Sequence, residues 1–280
     1  MNWKMTILAT LCLIFNKINA THMMGSDVTY TCLGPGKYKI VAKVYRDCRG
    51  VALNNPTMQA FCDNASPINI NYTRTAINDI SPTCVGGTKP CSPTNTTVSA
   101  EGIEEHVFEG EVDFNKSPFK ALKDAGCCQI YFSVAQCCRN VAITTISKNT
   151  LHTEAMLDIC AVGSECNSSP QLSIPPVAYI CCNQCFTYNN GVVDVVDGDS
   201  LAFNLAPALN GHNSNETYVS PFSPEKPMTP FCPPNPGVVN CNPKPNACQG
   251  IYFDKLTGDI IFKPTNCEEV GVIVIEIKEY

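Results

Sequence analysis

The sequence predicts an all-β protein: two tandem antiparallel β-sandwich domains hardened by disulfides. Three observations carry this. Short runs of alternating apolar and polar residues recur along the chain, separated by breaks rich in Pro, Gly and Asn. No amphipathic helix of ordinary length interrupts them. Cysteine is dense, nineteen in 280 residues, and the odd one, Cys12, lies inside an N-terminal apolar stretch.

That stretch reads as an export signal. Lys4 supplies a positive charge, residues 5–15 are apolar apart from Thr6 and Thr10, and the small residue Ala20 marks a cleavage site. The apolar run is about half of the roughly 20 residues that span a bilayer. Residues 1–20 are therefore expected to be removed, and no later segment is apolar enough to cross a membrane. Eighteen cysteines remain: Cys32, Cys48, Cys62, Cys84, Cys91, Cys127, Cys128, Cys137, Cys138, Cys160, Cys166, Cys181, Cys182, Cys185, Cys232, Cys241, Cys248 and Cys267. An even number at this density in an exported chain reads as a disulfide framework in an oxidising place, secreted or at the cell surface, or periplasmic if no sorting domain follows. The pairing is not fixed by sequence. The adjacent pairs Cys127-Cys128, Cys137-Cys138 and Cys181-Cys182 are each expected to seek distant partners, because disulfide geometry fits one dipeptide badly.

About 260 residues after cleavage suit two domains, 21–166 and 167–280. In the first, residues 37–46 alternate cleanly. Tyr38, Ile40, Ala42 and Val44 take one face; Lys37, Lys39, Val41 and Lys43 take the other. Gly34-Pro35-Gly36 makes a turn, so residues 24–32 pair with them as a hairpin. Residues 106–114 alternate again, Phe108, Val112 and Phe114 opposite Glu109, Glu111 and Asp113, with His106 expected to face solvent. Between 54 and 102 the pattern loosens into loops and short edge strands. Residues 129–136 and 141–146 look like another antiparallel pair, and 151–159 reads equally well as a helical turn or a strand.

Residues 167–176 have the polar, proline-bearing composition of a linker. Strands are expected at 177–180, 184–188, 199–205, 250–254, 259–263 and 270–278. Thr257-Gly258 forms a hairpin turn with Gly in the left-handed position. The last run is apolar on both faces, as a central strand would be. Residues 221–245 form a Pro-rich loop holding Cys232 and Cys241 and cannot be a central strand.

The net charge of −6 is mild and no basic patch occurs, which excludes nucleic acid as a natural partner. Asp194, Asp197 and Asp199 lie beside a glycine turn and are candidate calcium ligands, since Ca²⁺ takes hard oxygens in flexible geometry; the alternative is a turn with solvated carboxylates. Cys182-Asn-Gln-Cys185 has the spacing of zinc or redox motifs, but no second CxxC completes a four-ligand set and no βαβ pattern surrounds it. None of His22, His106, His152 and His212 lies in HExxH, and no Ser lies in GxSxG. No catalytic residue and no cofactor other than calcium is assigned.

Several runs resemble one family. Ala20-Thr-His-Met-Met-Gly25, Lys43-Val-Tyr-Arg-Asp-Cys48, Gly102-Ile-Glu-Glu-His-Val-Phe-Glu-Gly110, Gln136-Cys-Cys-Arg-Asn140, Asn167-Ser-Ser-Pro170, Gly198-Asp-Ser-Leu201, Val219-Ser-Pro-Phe-Ser-Pro224 and residues 254–260 occur in the order seen in gliding-motility-associated, type IX-secreted surface proteins of Bacteroidota. The resemblance implies an Ig/cadherin-like β-sandwich protein of the cell surface, non-catalytic, acting in adhesion or gliding-type attachment. It implies a polysaccharide or cell-surface protein as partner, and further domains of the same polypeptide if this chain is a fragment. That family's acidic turn is similar to Asp-Pro-Asp-Gly-Asp; here Val195 and Val196 stand at its first two positions. The rival expectations are a secreted glycan hydrolase using carboxylates such as Glu104 and Glu105, and a purely structural spacer of a longer filament.

Overall fold

A computed structural model describes residues 22–82, 91, 102–160, 166–229, 246, 248 and 250–280. The export signal, Cys84, Cys232, Cys241 and most of the Pro-rich loop lie outside the described residues. The first half contains β1 (Met23–Gly34), β2 (Lys37–Asp47), β3 (Thr57–Cys62), β4 (Ala65–Asn69), β5 (Tyr72–Asp79), β6 (Ile103–Asp113), a short helix α1 (Lys120–Asp124), β7 (Gln129–Gln136) and β8 (Leu151–Asp158). The second half contains β9 (Gln171–Leu172), β10 (Phe186–Tyr188), β11 (Val192–Val193), β12 (Leu201–Leu205), β13 (Leu209–Gly211), β14 (Ser214–Asn215), β15 (Tyr252–Phe253), β16 (Ile260–Phe262) and β17 (Ile275–Glu279).

The protein is nearly all β. Two antiparallel sheets dominate: β1-β2-β6-β5, and β14-β13-β8-β7-β3-β4. They face each other over one core. Tyr30, Tyr38, Ile40, Val44 and Phe108 come from the first sheet; Met58, Ala60, Ile130, Phe132 and Val134 come from the second. Phe132 sits at the centre, its ring 5.6 Å from Tyr30 and 6.4 Å from Phe114. The period-two alternation explains this division, since every second residue of β2 is buried. Outward-facing lysines pair with β6 carboxylates: Lys37 with Glu111 at 2.8 Å and Lys39 with Glu109 at 2.9 Å. Such exposed pairs set register more than stability. Gly110, between Ile40 and Tyr72, is small for a reason: a Cβ there would lie 2.7 Å from the Asn71 carbonyl oxygen.

The β1–β2 hairpin, the β6 pattern and the Thr257-Gly258 turn form as the sequence predicts, Gly258 having φ +73° between β15 and β16. Several expectations are corrected. β7 pairs with β8 rather than with 141–146. Past Cys138 the chain is captured by the start of β1: Asn140 N–H donates to Met23 O and Met23 N–H to Cys138 O. It then turns, burying Ile143 and Ile146 against Ala208, with Val272 and Val274 packed on them. β3 is an interior strand and β5 runs eight residues, so 54–79 is more regular than expected. No strand forms at 177–180. The 270–278 run is not central: among the described residues β17 pairs only with β12. Its apolar residues divide between two small cores, Val272 and Val274 toward Ile146, Ile273 and Ile275 toward Ile260 and Phe262.

Seven disulfides join described residues: Cys32–Cys166, Cys48–Cys91, Cys62–Cys127, Cys128–Cys160, Cys137–Cys138, Cys182–Cys267 and Cys185–Cys248. Cys127 and Cys128, just ahead of β7, find separate distant partners, as expected. Cys137 and Cys138 do not: they bond to each other across a cis peptide. Cys181 is exposed and outside these bonds. The CxxC cysteines hold two different disulfides, so Cys182 and Cys185 form no joint metal or redox unit.

The 167–176 segment is no free linker. Ser169 N–H donates to Tyr30 O at 2.9 Å, Tyr30 N–H donates to Ser169 Oγ at 2.8 Å, and Cys32 N–H donates to Ser168 Oγ. Further on, β13 and β14 extend the second large sheet past β8. The boundary at 166/167 is thus crossed by both hydrogen bonds and sheet pairing. Ser169→Ala leaves a buried Tyr30 N–H without its acceptor and is expected to cost about 1–3 kcal/mol in chemical denaturation. Phe132→Ala is expected to cost about 3–5 kcal/mol by the same measurement, through the cavity it opens between the sheets.

Candidate functional site

Sequence reasoning singled out Asp194, Asp197 and Asp199. The loop after β11 brings two of them together and turns the third away. Asp194 holds the loop: its Oδ1 accepts from Val196 N–H and Asp197 N–H, and its Oδ2 from Asp199 N–H, at 3.0–3.1 Å. Burial pushes its carboxyl up, but those backbone donors outweigh it and hold the group below the usual carboxylate range. Asp197 instead accepts from Ser168 N–H at 2.6 Å and so fastens the loop to the β1 edge.

The third member of the acidic group is Glu279, at the end of β17, which sequence reasoning missed. One carboxylate oxygen each from Asp194, Asp199 and Glu279 lie within 4.8 Å of one another, all half-buried. β17 and β12 create this meeting, since Leu201, two residues after Asp199, pairs with Glu279. Glu279 Oε1 accepts from Asn167 Nδ2, and Oε2 is buried without a hydrogen-bond partner among the described residues. Burial first, then the charges of Asp199, Asp194 and Asp197, push this carboxyl up. A signal for Glu279 exists only in retrospect, as an acid ending a strand that pairs with the strand after Asp199.

This set is all oxygen and carries three formal negative charges. It suits a hard cation such as Ca²⁺, with remaining positions filled by backbone carbonyls or water. Asp194 retains lone pairs beyond those its loop uses, because a carboxylate has about four acceptor sites.

The other acids named from sequence do not converge. Glu104 and Glu105 point to opposite faces of β6. Glu104 lies 2.9 Å from buried Arg46 and 3.1 Å from His106 Nε2. Glu105 accepts from Asn78 Nδ2 at 2.9 Å and lies 3.3 Å from the Tyr45 hydroxyl oxygen. His106 was expected at the surface but is 3 % exposed, because it continues the inward register of Phe108. Burial lowers its tendency to charge, against the pull of Glu104.

A further buried acid lies at the junction of the halves. Asp27, on the outward face of β1, accepts from Tyr45 OH at 2.8 Å. Gly25 beside it lies against Pro176 and Val177, and Tyr188 OH donates to Pro175 O, so second-half residues close over this face. Burial pushes the Asp27 carboxyl from 3.8 up to about 6, against the Tyr45 bond and the Lys43 charge, with Glu105 adding to the rise.

Comparison with protein families, characterised proteins and solved structures gives no match to this chain.

The Asp27 environment has a pH signature. Between about pH 4 and pH 6 the folded state binds a proton that the unfolded state has released, so stability falls as pH rises through that window. The loss totals about 3 kcal/mol, the free-energy equivalent of a shift of roughly two pKa units. Asp27→Asn mimics the protonated form. It is expected to raise the thermal midpoint above that of the wild type at pH 8 and to leave it unchanged at pH 4.

Proposed function

We propose that this is an exported, non-catalytic surface protein acting in adhesion or gliding-type attachment, with a polysaccharide or cell-surface protein as its partner. The observation that carries the reading is the covalent framework: seven disulfides among the described residues of a nearly all-β chain. Such a framework persists in an oxidising, extracytosolic place. It holds sheets rigid while their connecting loops remain available for contact. No helix among the described residues is long and apolar enough to cross a membrane. The resemblance of the motif order to that of gliding-motility-associated surface proteins supports the same reading, and with it an Ig/cadherin-like second half following a first β-sandwich.

The test is direct. The oxidised chain from residue 21 onward is passed over insoluble polysaccharides and over intact cells. Saturable retention, lost after reduction of the disulfides, is the expected result. Absence of retention on every surface, or glycan turnover that disappears in Glu104→Gln, contradicts the proposal.

The meeting of Asp194, Asp199 and Glu279 favours calcium as a ligand of this surface protein. Bound Ca²⁺ would relieve their mutual repulsion and tie the 194–199 loop to β17. A ligand that binds only the folded state at 100 times its dissociation constant stabilises it by about 2.7 kcal/mol. Millimolar Ca²⁺ is therefore expected to raise the thermal midpoint relative to chelator, and Glu279→Gln to abolish the rise. Equal midpoints with and without Ca²⁺ in the wild type exclude this ligand.

A further inference from the structure

The outer face of the six-stranded sheet carries a polar cluster that the proposed function does not use. β13 and β14 meet at the turn His212-Asn213, where Asn213 takes a left-handed conformation, φ 53°. The turn lays the His212 ring over two aromatic side chains. Its centroid is 4.6 Å from that of Tyr131 and 4.8 Å from that of Phe61. Phe61 is only 6 % exposed although it faces away from the main core.

The ring nitrogens decide what His212 is doing there. Nδ1 lies 2.9 Å from Glu154 Oε1, and Nε2 lies 3.0 Å from Asp63 Oδ1. Both partners are carboxylates, which accept and do not donate. A neutral imidazole has one N–H and serves one of them; an imidazolium has two and serves both. Asn213 Nδ2 lies 3.0 Å from the same Nε2 and donates to it when the ring is neutral there, so Asn213 competes with Asp63 for this nitrogen. Glu154 Oε1 also lies 2.6 Å from His152 Nε2, so one carboxylate is shared by two histidines.

We propose that His212 is a proton-operated latch: charged, it fastens the β13–β14 hairpin across Phe61 and Tyr131; neutral, it releases one of its two carboxylates and the hairpin loosens. Among the described residues the hairpin pairs with β8 only at Leu209↔His152. Its open end is anchored by Arg139 Nη2 donating to Leu209 O and Asn149 Nδ2 donating to Glu216 Oε1, which leaves the His212 end to its side-chain contacts. The groups facing His212 are Asp63 beyond β3, His152 and Glu154 on β8, and Tyr131 on β7. Burial opposes the charged ring, but the bonds to Asp63 and Glu154 and their charges prevail and hold the imidazole above its ordinary value. The latch therefore contributes fully below the ordinary imidazole range and is lost as pH rises through the folded value.

The experiment is a histidine titration by nuclear magnetic resonance, combined with amide exchange over 209–216 at pH 5.5 and pH 8.5, corrected for intrinsic rates. Amides of Ile40 and Phe108 report global opening. The His212 ring is expected to titrate above a free histidine. Protection of the hairpin, relative to the global amides, is expected to fall about tenfold between the two pH values, the equivalent of one charge-assisted hydrogen bond. In His212→Gln that difference disappears. In Asp63→Asn, which keeps the Glu154 contact, the His212 midpoint moves down. A His212 midpoint at or below that of free histidine overturns the latch. So does pH-independent protection in the wild type, or a His212→Gln chain that keeps the wild-type pH response.

Discussion

The free edge of β1 is the constraint on which the rest of the structure depends. β1 is twelve residues long and ends one side of its sheet, so β2 satisfies only one of its two rows of backbone groups. An unpaired row of that length is costly if buried and a template for other chains if exposed. The protein covers it with its own chain. Residues 138–140 take the start of the edge, through Met23, and residues 168–169 take the end, through Tyr30 and Cys32. The Cys32–Cys166 disulfide fixes the second cover in place.

Once that edge is closed, the remaining features follow. Asp197 binds Ser168 N–H, so the acidic loop is seated where the cover begins. Asn167 reaches Glu279, which carries β17 to the same corner. Pro176 and Val177 then lie over Gly25, two residues from the buried Asp27. The acidic group, the buried Asp27 and the covered strand edge are thus consequences of one docking event. Asp27, Glu279 and His212 each hold a proton more tightly when folded than when unfolded. All three favour the folded protein at mildly acidic pH over alkaline pH.

What was legible in the sequence was local. Tyr38, Ile40, Ala42 and Val44 alternate with lysines, and alternation reports a strand with one wet face. Gly258 reports its own turn, because few other residues accept a positive φ there. Cysteine density reports the disulfide framework, but parity does not place every thiol in it, since Cys181 stands outside the bonds among the described residues. Partners were not legible. Residues 270–278 are apolar on both faces, and periodicity cannot distinguish two neighbouring strands from two small cores. His106 sits among charges in sequence, but its register on β6 sends it inward. The Cys137-Cys138 bond defied a sound geometric expectation. Of the acidic group, the proximity of Asp194 and Asp199 was legible because they share one short loop, whereas Glu279 arrives only through strand pairing. Nothing in the sequence places His212 between Asp63 and Glu154, since the three belong to segments that meet only when β13 joins β8.

The closure of the β1 edge is tested most directly by mapping the disulfides of the unreduced, thiol-blocked protein by peptide mass spectrometry. The account predicts one cross-linked peptide joining Cys32 to Cys166, alongside Cys128–Cys160 and Cys182–Cys267. A Cys166 bonded to a cysteine of the second half, or Cys32 recovered as a blocked thiol, would contradict it.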